Sequence, residues 1–374
     1  MSRPLRLAGY IAIGVLSGLL FAAAAIWVLS RTDWGMERAR RFAVSWLADR
    51  VDGELRVGRI SGPGLLGGVV IHDFGIIDPK GRPFLATDSI ELNYNIRTLL
   101  GGSVILNNAV LYGPNIVLEQ LPGDTAWNYQ YVFPDRTPGD DAPRTRRLIM
   151  FNAARVVNGT ATIRTPFEPD GPIEPRDTAR VMLDRLPGGL ARVMRFERLN
   201  ARLDRVIWES PIEPGRLVDI QSVQARGFVW RDPFLVQNMR GTLTMRDTIV
   251  AFDLREVALP GSRAEVLGRV IMQEGRNDID VRVESSRIVL SDLQFLHPQI
   301  PAEGGGSVVL RIQSRPDGIL WLAEDARLST PGTSVAGSFG VVTGDTLYFT
   351  NVDLRASPLD VQLIESLLPG GLPV

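Results

Sequence analysis

The stretch Asp278-Ile279-Asp280-Val281-Arg282-Val283-Glu284 alternates charged and apolar residues at every step. Successive side chains of a β-strand point to opposite faces, so a strand here places Ile279, Val281 and Val283 together on one face. The charged residues then share the other face. Antiparallel sheets commonly combine one apolar and one wet face in this way. The stretch therefore predicts a strand of an antiparallel, two-sided sheet.

The same period of two recurs along most of the chain after Gly53. Residues 90–95 alternate between apolar and polar side chains, and turn-forming residues such as those at 78–83 separate the apolar runs at intervals of about 8–15 residues. No long amphipathic helix interrupts these runs. The pattern predicts a mostly β fold, built as an antiparallel meander with a few short helices.

The composition excludes several classes of function. Among 374 residues, 41 Lys plus Arg balance 42 Asp plus Glu, and this near-neutral charge argues against a globally basic nucleic-acid-binding protein. The absence of cysteine excludes thiolate nucleophiles, disulfides, zinc–thiolate sites and iron–sulfur clusters. Two histidines, His72 and His297, leave little for acid–base catalysis or metal binding. We therefore expect no catalytic site, no metal and no cofactor.

Two local motifs do not alter this expectation. Residues 62–67 match G-x-G-x-x-G, but a strand rather than a helix follows them, so the context of a dinucleotide site is missing. His72 and Asp73 are adjacent, and neighbours in a strand point to opposite faces instead of forming an acid–base pair.

The N-terminal segment Leu7 to Leu29 is a run of 23 residues without a charge. As a helix it spans about 35 Å, enough for the hydrocarbon core of a bilayer. A cleaved signal peptide is the alternative, but its apolar region is usually only about 7–15 residues long. The length favours an uncleaved transmembrane anchor. The arginines on both sides leave its orientation open, because long domains can translocate regardless of flanking charge.

The chain divides into five segments by composition. These are a transmembrane anchor at 1–30, an amphipathic helix at 31–50, a first β region at 51–133, a strand pair with Pro-rich loops and a short helix at 134–200, and repeated β units at 201–374. The helix at 31–50 either caps the domain or lies on the membrane surface. The Pro-rich loops at 134–143 and 165–177 either separate domains or form insertions at the edge of one sheet, and we favour insertions.

A weak internal repeat supports the idea of repeated β units. Leu259-Pro260-Gly261-Ser262 resembles residues 328–332, and residues 290–298 resemble residues 359–369, at an offset of about 70 residues. This spacing predicts similar multi-strand units, each ended by a short helical turn. Chance similarity between β-rich segments is the alternative.

Residues 5 to about 130 resemble the amino-terminal region of the AsmA-like family. After the apolar span and the short helix, the resemblance lies in the segments Gly53–Gly62, Leu65–Asp73, Ile77–Gly81, Ile90–Tyr94, Leu99–Gly102, Val110–Leu118 and Trp127-Asn128. It implies a single-pass inner-membrane protein whose main domain is periplasmic. It also implies an elongated sheet curled into a groove, and a role in phospholipid transport towards the outer membrane or in outer-membrane assembly.

This resemblance assigns a use to the apolar strand faces. Acyl chains of phospholipid are expected along a groove lined by Val69, Ile71, Ile90, Leu92, Val104 and Leu106. The same alternation also fits strands that pack against each other in the core of a β-sandwich, so the pattern alone does not distinguish an open groove from a sandwich core. A second hypothesis is a scaffold that offers a sheet edge to an outer-membrane barrel protein and carries no lipid.

The periplasmic placement is testable with a topology reporter. Alkaline phosphatase fused after residue 130 is expected to be active, because this enzyme needs the oxidising periplasm to form its disulfides. A cytoplasmic reporter fused at the same position serves as the control. Activity of that reporter with an inactive phosphatase would place the domain in the cytoplasm instead.

Overall fold

The computed structural model describes residues 51–64, 67–95, 97–98, 103–124, 126–133, 148–169, 181–212, 215–273, 276–296, 298, 300–344 and 346–358, and eight residues between Thr32 and Ser45. Seven of those eight are helical, within the segment expected to form the amphipathic helix. The apolar span at 7–29 lies outside the described residues. Within the described part of the chain, no helix is both long and apolar enough to cross a bilayer.

The protein is mostly β, as the period of two predicts. Its strands are β1 Glu54–Val57, β2 Ile60–Gly64, β3 Gly68–Ile77, β4 Pro83–Tyr94, β5 Val104–Tyr112, β6 Asn115–Glu119, β7 Ile149–Phe151, β8 Ala154–Phe167, β9 Leu183–Leu186, β10 Gly189–Glu209, β11 Arg216–Phe228, β12 Phe234–Val236, β13 Asn238–Arg246, β14 Ile249–Ala258, β15 Arg263–Gln273, β16 Arg276–Val289, β17 Gly305–Arg315, β18 Gly318–Ser329, β19 Ser334–Thr343 and β20 Tyr348–Ser357. A short helix, α1, spans Asn128–Val132, and a 3-10 turn spans Leu290–Leu293.

The twenty strands of the described residues all belong to one sheet. Neighbours in the sheet are mostly neighbours in the chain, except that β8 and β9 lie on opposite sides of β10. β1 and β2 lie end to end along β3, and β5 and β6 lie end to end along β4. From β10 onward, each long strand pairs with the next long strand in an antiparallel meander that reaches β20. The expectation of a purely antiparallel sheet is wrong at one join, where β5 and β6 run parallel to β7 and β8. A parallel pair needs a long crossover, and residues 120–148 between β6 and β7 are long enough to supply it.

The segment expected to be a strand pair with Pro-rich loops extends the sheet. Thr165 and Phe167, placed by the sequence at the start of a loop, still belong to β8. The boundary expected at residue 200 falls inside β10, so the sheet continues through it. Residues 134–143 lie outside the described residues.

One irregularity recurs in the middle of the strands. Five non-glycine residues in the described strands have positive φ, namely Asp73, Asn158, Arg198, Asp325 and Asn351. Gly241 in β13, Gly306 in β17 and Gly337 in β19 also have positive φ. Register shifts join these positions across the sheet: the shift containing Asp325 lies opposite the one in β19, which in turn lies opposite Asn351. We call this row of positions the bulge line.

The bulge line changes which side chains share a face. In a regular strand, residues three apart point to opposite faces. Ile71 and Phe74 flank Asp73, yet they pack against the same hydrophobic cluster. The same spacing of apolar residues recurs around Arg198, Asp325 and Asn351. At these positions the strand keeps its apolar residues on one side across the irregularity, and a bulge of this kind bends a strand, as expected for a curled sheet.

Buried hydroxyl groups satisfy the backbone at two of these bends. Thr87 Oγ1 lies 2.7 Å from the Tyr112 carbonyl oxygen on the next strand and 3.2 Å from the Ser89 oxygen. Ser285 Oγ has the same arrangement, 2.6 Å from the Arg263 oxygen and 3.1 Å from the Arg287 oxygen. Buried carbonyl groups need such partners where a bulge interrupts the ladder.

The first strands are covered on one side by a small core. Val51, Phe74, Ile76 and Val132 form a buried cluster in which α1 contributes Val132. Asn128, fully buried, fixes this helix: its amide donates to the Val117 oxygen at 2.6 Å and accepts from the Glu119 N–H at 3.0 Å. The side chain therefore continues the hydrogen-bond ladder of β6 where β4 no longer pairs with it.

The two Pro-Gly segments of the predicted repeat form similar turns. Leu259 N donates to the Ser262 oxygen at 2.9 Å, and Thr330 N donates to the Thr333 oxygen at 2.8 Å, each across a Pro-Gly step. Ser262 also donates to Asp292 Oδ2 at 2.8 Å, which ties its turn to the 3-10 turn at Leu290–Leu293. The corresponding second segment, 359–369, lies outside the described residues.

Gly306→Ala tests the bulge line. Gly306 has φ +154°, and a Cβ added there would overlap the Arg327 carbonyl oxygen. We expect the free energy of unfolding to fall by at least about 2 kcal/mol, measured by urea denaturation. Gly67→Ala is the control, because a Cβ added at Gly67 meets nothing within 4 Å, and it should change the free energy of unfolding little. Equal effects of the two substitutions would contradict a constrained bulge.

Candidate functional site

One side of the sheet is apolar from strand to strand, and we call it the apolar face. It is defined by Val281 and Val283 of β16 and the residues paired with them. Val283 pairs with Val266 and Leu310, and Val281 pairs with Gly268 and Ile312. The face continues through Trp321, Val341 and Phe349 on β18, β19 and β20.

The opposite side, the polar face, carries the charges that alternate with these residues. Arg282 Nη2 lies 2.6 Å from Glu284, its Nη1 lies 3.6 Å from Glu324 on β18, and Arg269 lies 3.8 Å from Asp280 across β15 and β16. These ion pairs are exposed and add little stability individually. Leu320, Leu322 and Val342 are exceptions, because they form a small buried cluster on this side.

The six residues expected to line a groove share the apolar face. Val69 pairs with Leu92 and Ile71 with Ile90, while Leu106 pairs with Tyr94, two residues from Leu92 on the same strand. Val104 lies two residues from Leu106 on β5 and therefore points the same way. The sequence alternation thus identifies one common side.

The solvent exposure of the apolar face differs between the first and the later strands of the sheet. Val69 and Leu106 are buried, at 9% and 8% exposure, and Ile71, Ile90 and Leu92 pack against the two clusters that cover the first strands. On the later strands, the apolar residues are mostly half-buried, and Trp321 and Phe349 are 40% and 55% exposed. The open part of the apolar face therefore lies beyond the strands that carry the six candidates.

The long strand β10 shows how far this apolar side extends. Between Met194 and Val206, the β10 residues on this side are uncharged. This uncharged stretch is about 40 Å long at the rise per residue of a β-strand. An arginine stacked on a tryptophan lies at each end: Arg192 is 4.8 Å from the Trp230 ring, and Arg216 on β11 is 4.3 Å from the Trp208 ring. The sequence reasoning missed these pairs, because Arg192 and Trp230 are 38 positions apart.

Aromatic side chains hold Trp230 in place. Its indole N–H donates to the Phe295 carbonyl oxygen at 2.8 Å, and the Phe295 ring stacks on Phe234 at 4.4 Å. Phe234 also meets Phe196 edge to face at 6.3 Å. The 3-10 turn region and the loop before β12 are thereby fixed at one end of the apolar face.

A separate cleft of about 620 Å³ lies on the polar face. It is lined by Thr162, Arg164, Met182, Leu183, Asp184, Val193, Arg195, Phe228 and Arg231. Arg164 is paired with Asp184 at 2.9 Å and with Glu119 at 3.2 Å, and Arg195 is paired with Glu197 at 3.1 Å. Its charges are largely satisfied within the protein, so it offers no clear anion site.

His72 belongs to no reactive cluster among the described residues. His72 Nε2 lies 2.8 Å from Ser61 Oγ on the neighbouring strand, while Asp73 occupies the bulge line. His297 lies outside the described residues. Across the described ranges, no group of three or more His, Asp or Glu side chains could hold a metal ion.

Comparisons of the chain with protein-family models, with curated proteins and with solved structures return no match.

The polarity of the two faces can be measured with single-cysteine variants, since the chain has no cysteine of its own. Leu310→Cys places a thiol on the apolar face, and Arg311→Cys places one on the polar face of the same strand. A polarity-sensitive dye attached at 310 should emit at shorter wavelength than at 311, because neighbouring apolar side chains exclude water. The reverse order of emission maxima would contradict the assignment of faces.

Proposed function

We propose that this protein binds the acyl chains of phospholipid on the open part of its apolar face. In this proposal it is anchored in the inner membrane by residues 7–29, its sheet lies in the periplasm, and it takes part in moving phospholipid towards the outer membrane. The placement and the direction of transport come from the resemblance to the AsmA-like family. The binding mode rests on the sheet itself.

The observation that supports lipid binding is the combination of apolar character and exposure on the later strands. Monomeric soluble proteins rarely leave large contiguous apolar surfaces in water, and such surfaces mark interaction sites. In the described part of the chain, all strands form one sheet, so no second sheet covers β13 to β20. Side chains such as Val266, Leu310 and Trp321 form a continuous strip against which extended hydrocarbon chains could pack.

The backbone of this strip suits an apolar ligand. Almost every strand there has two paired neighbours, so its N–H and C=O groups are satisfied before any ligand binds. An acyl chain therefore costs the protein no backbone hydrogen bond, while burial of apolar area is worth about 25 cal/mol per Å². The ion pairs of the polar face meanwhile keep the other side of the sheet in water.

A scaffold role remains the second candidate, favoured by the last described strand. Among the described strands, β20 pairs with β19 alone. Phe349, Val352 and Leu354 on β20 are 55%, 60% and 41% exposed. An apolar strand with an open edge suits pairing with a strand of another protein, such as an outer-membrane barrel protein.

Native mass spectrometry of the full-length protein in detergent tests lipid binding. We expect co-purified phospholipid with the wild type and its loss with Val266→Glu, because a carboxylate on the apolar face would be buried against the acyl chains. Leu267→Glu is the matched control: Leu267 is the next residue, on the polar face and 59% exposed, so lipid should be retained. Ile90→Glu is a poorer choice, since Ile90 packs against the buried cluster beneath α1.

Two outcomes would contradict the proposal. A wild-type protein that carries no lipid and takes up none from phospholipid vesicles would remove the lipid hypothesis. Recovery of the same protein with an outer-membrane barrel protein would then favour the scaffold. Equal lipid binding by Val266→Glu and Leu267→Glu would show that lipid binds elsewhere.

A further inference from the structure

Arg192 lies on the apolar face of β10. The register of β10 against β8 is unbroken from Leu190 to Phe196, so Arg192 points to the same side as Met194 and Phe196. Phe196 in turn contacts the aromatic group that holds Trp230. A guanidinium group therefore lies at one end of an apolar strip, where apolar side chains would ordinarily be expected.

The surroundings of Arg192 do not neutralise its charge. Its guanidinium stacks on the Trp230 ring, which is itself 7% exposed, and its Nε atom is buried without a hydrogen-bond partner. Burial lowers the pKa of the guanidinium, and no described carboxylate opposes that effect. An unpaired buried donor on a charged group costs stability, so such a group is usually explained by a ligand or a function.

The other arginines of the region differ from Arg192 in this respect. Arg195, three residues along β10, lies on the polar face and is paired with Glu197 at 3.1 Å. Arg164 is paired with two carboxylates. Arg216, at the far end of the strip, stacks on a tryptophan that is 47% exposed, so both groups of that pair remain in water. Arg192 alone among these four combines partial burial with an unsatisfied guanidinium nitrogen.

We propose that Arg192, held against Trp230, binds the phosphate of a phospholipid whose acyl chains lie on the adjoining apolar face. This inference rests on the proposed function and adds the position of the headgroup. Arginine suits the task, since its planar guanidinium can donate two parallel hydrogen bonds to phosphate oxygens. Acyl chains running from Arg192 along β10 would meet Met194 and Phe196 and would then cross the bulge line on the apolar side of the strand, which is uncharged as far as Val206.

The test compares three probes on the full-length protein in detergent. Dipalmitoyl phosphatidylglycerol has the chains and the phosphate, dipalmitoylglycerol has the same chains alone, and glycerol 3-phosphate has the phosphate alone. We expect the wild type to bind the phospholipid about tenfold more tightly than the diacylglycerol, as a charge-assisted hydrogen bond would give. Glycerol 3-phosphate should bind far more weakly than either.

Arg192→Met is the decisive variant, because methionine keeps an apolar stem of similar length against Trp230. We expect it to bind both lipids equally, while Arg195→Met, the matched control on the polar face, keeps the tenfold preference. Thermal unfolding checks that both variants are folded. Arg192→Lys keeps a positive charge without the planar group and should show a reduced preference, so it serves if Arg192→Met does not fold.

The outcomes separate this inference from the proposed function. A preference that survives in Arg192→Met, or a wild type that binds both lipids equally, overturns the headgroup site but leaves acyl-chain binding intact. Tight binding of glycerol 3-phosphate that is lost in Arg192→Met identifies a site for free phosphates, and this result also overturns the assignment of a phospholipid headgroup site. Binding of neither lipid by the wild type contradicts the proposed function itself.

Discussion

The bulge line is the constraint on which the rest of the sheet depends. A strand can present apolar side chains to one side only while its alternation is unbroken, and a shift of one residue would turn that set to water. In this protein, a residue with positive φ in mid-strand resets the alternation at neighbouring positions from Asp73 to Asn351. The apolar face therefore stays continuous across strands that bend. A bend placed in one strand alone would break its pairing with both neighbours.

This constraint explains an unusual choice of residues. Positive φ is costly for most side chains and is tolerated best by Gly, Asn and Asp. The bulge line uses Gly241, Gly306 and Gly337, together with Asp73, Asn158, Asp325 and Asn351. Arg198 departs from this preference. Its cost is offset locally: Asn200 accepts from the Asn158 N–H at 3.0 Å and donates to the Arg198 oxygen at 2.9 Å, which ties the two neighbouring bulges together.

The sequence predicts the parts of this fold that depend on local periodicity. The stretch 278–284 identifies a two-sided strand, and the six groove candidates indeed share one side. The parallel join of β5 and β6 to β7 and β8 has no local signal, because it depends on how a long connection returns to the sheet. The pairing of Arg192 with Trp230 has none either. Their contact exists because β10 and β11 pair in antiparallel fashion, so that the chain beyond Phe228, which is opposite Arg195, carries Trp230 towards Arg192.

The apolar face is covered over the first strands and open over the later ones, and Arg192 lies between these two regions. Over β3 and β4, α1 and the segment before β1 close the face with Val132 and Val51, so the strands behave as an ordinary core. From β13 onward, the same face is half-buried and carries exposed rings such as Trp321. β10 lies between these regions. A cation at the end of its apolar strip, on a strand that α1 does not cover, is where an amphipathic ligand could place a charged headgroup without leaving its chains in water.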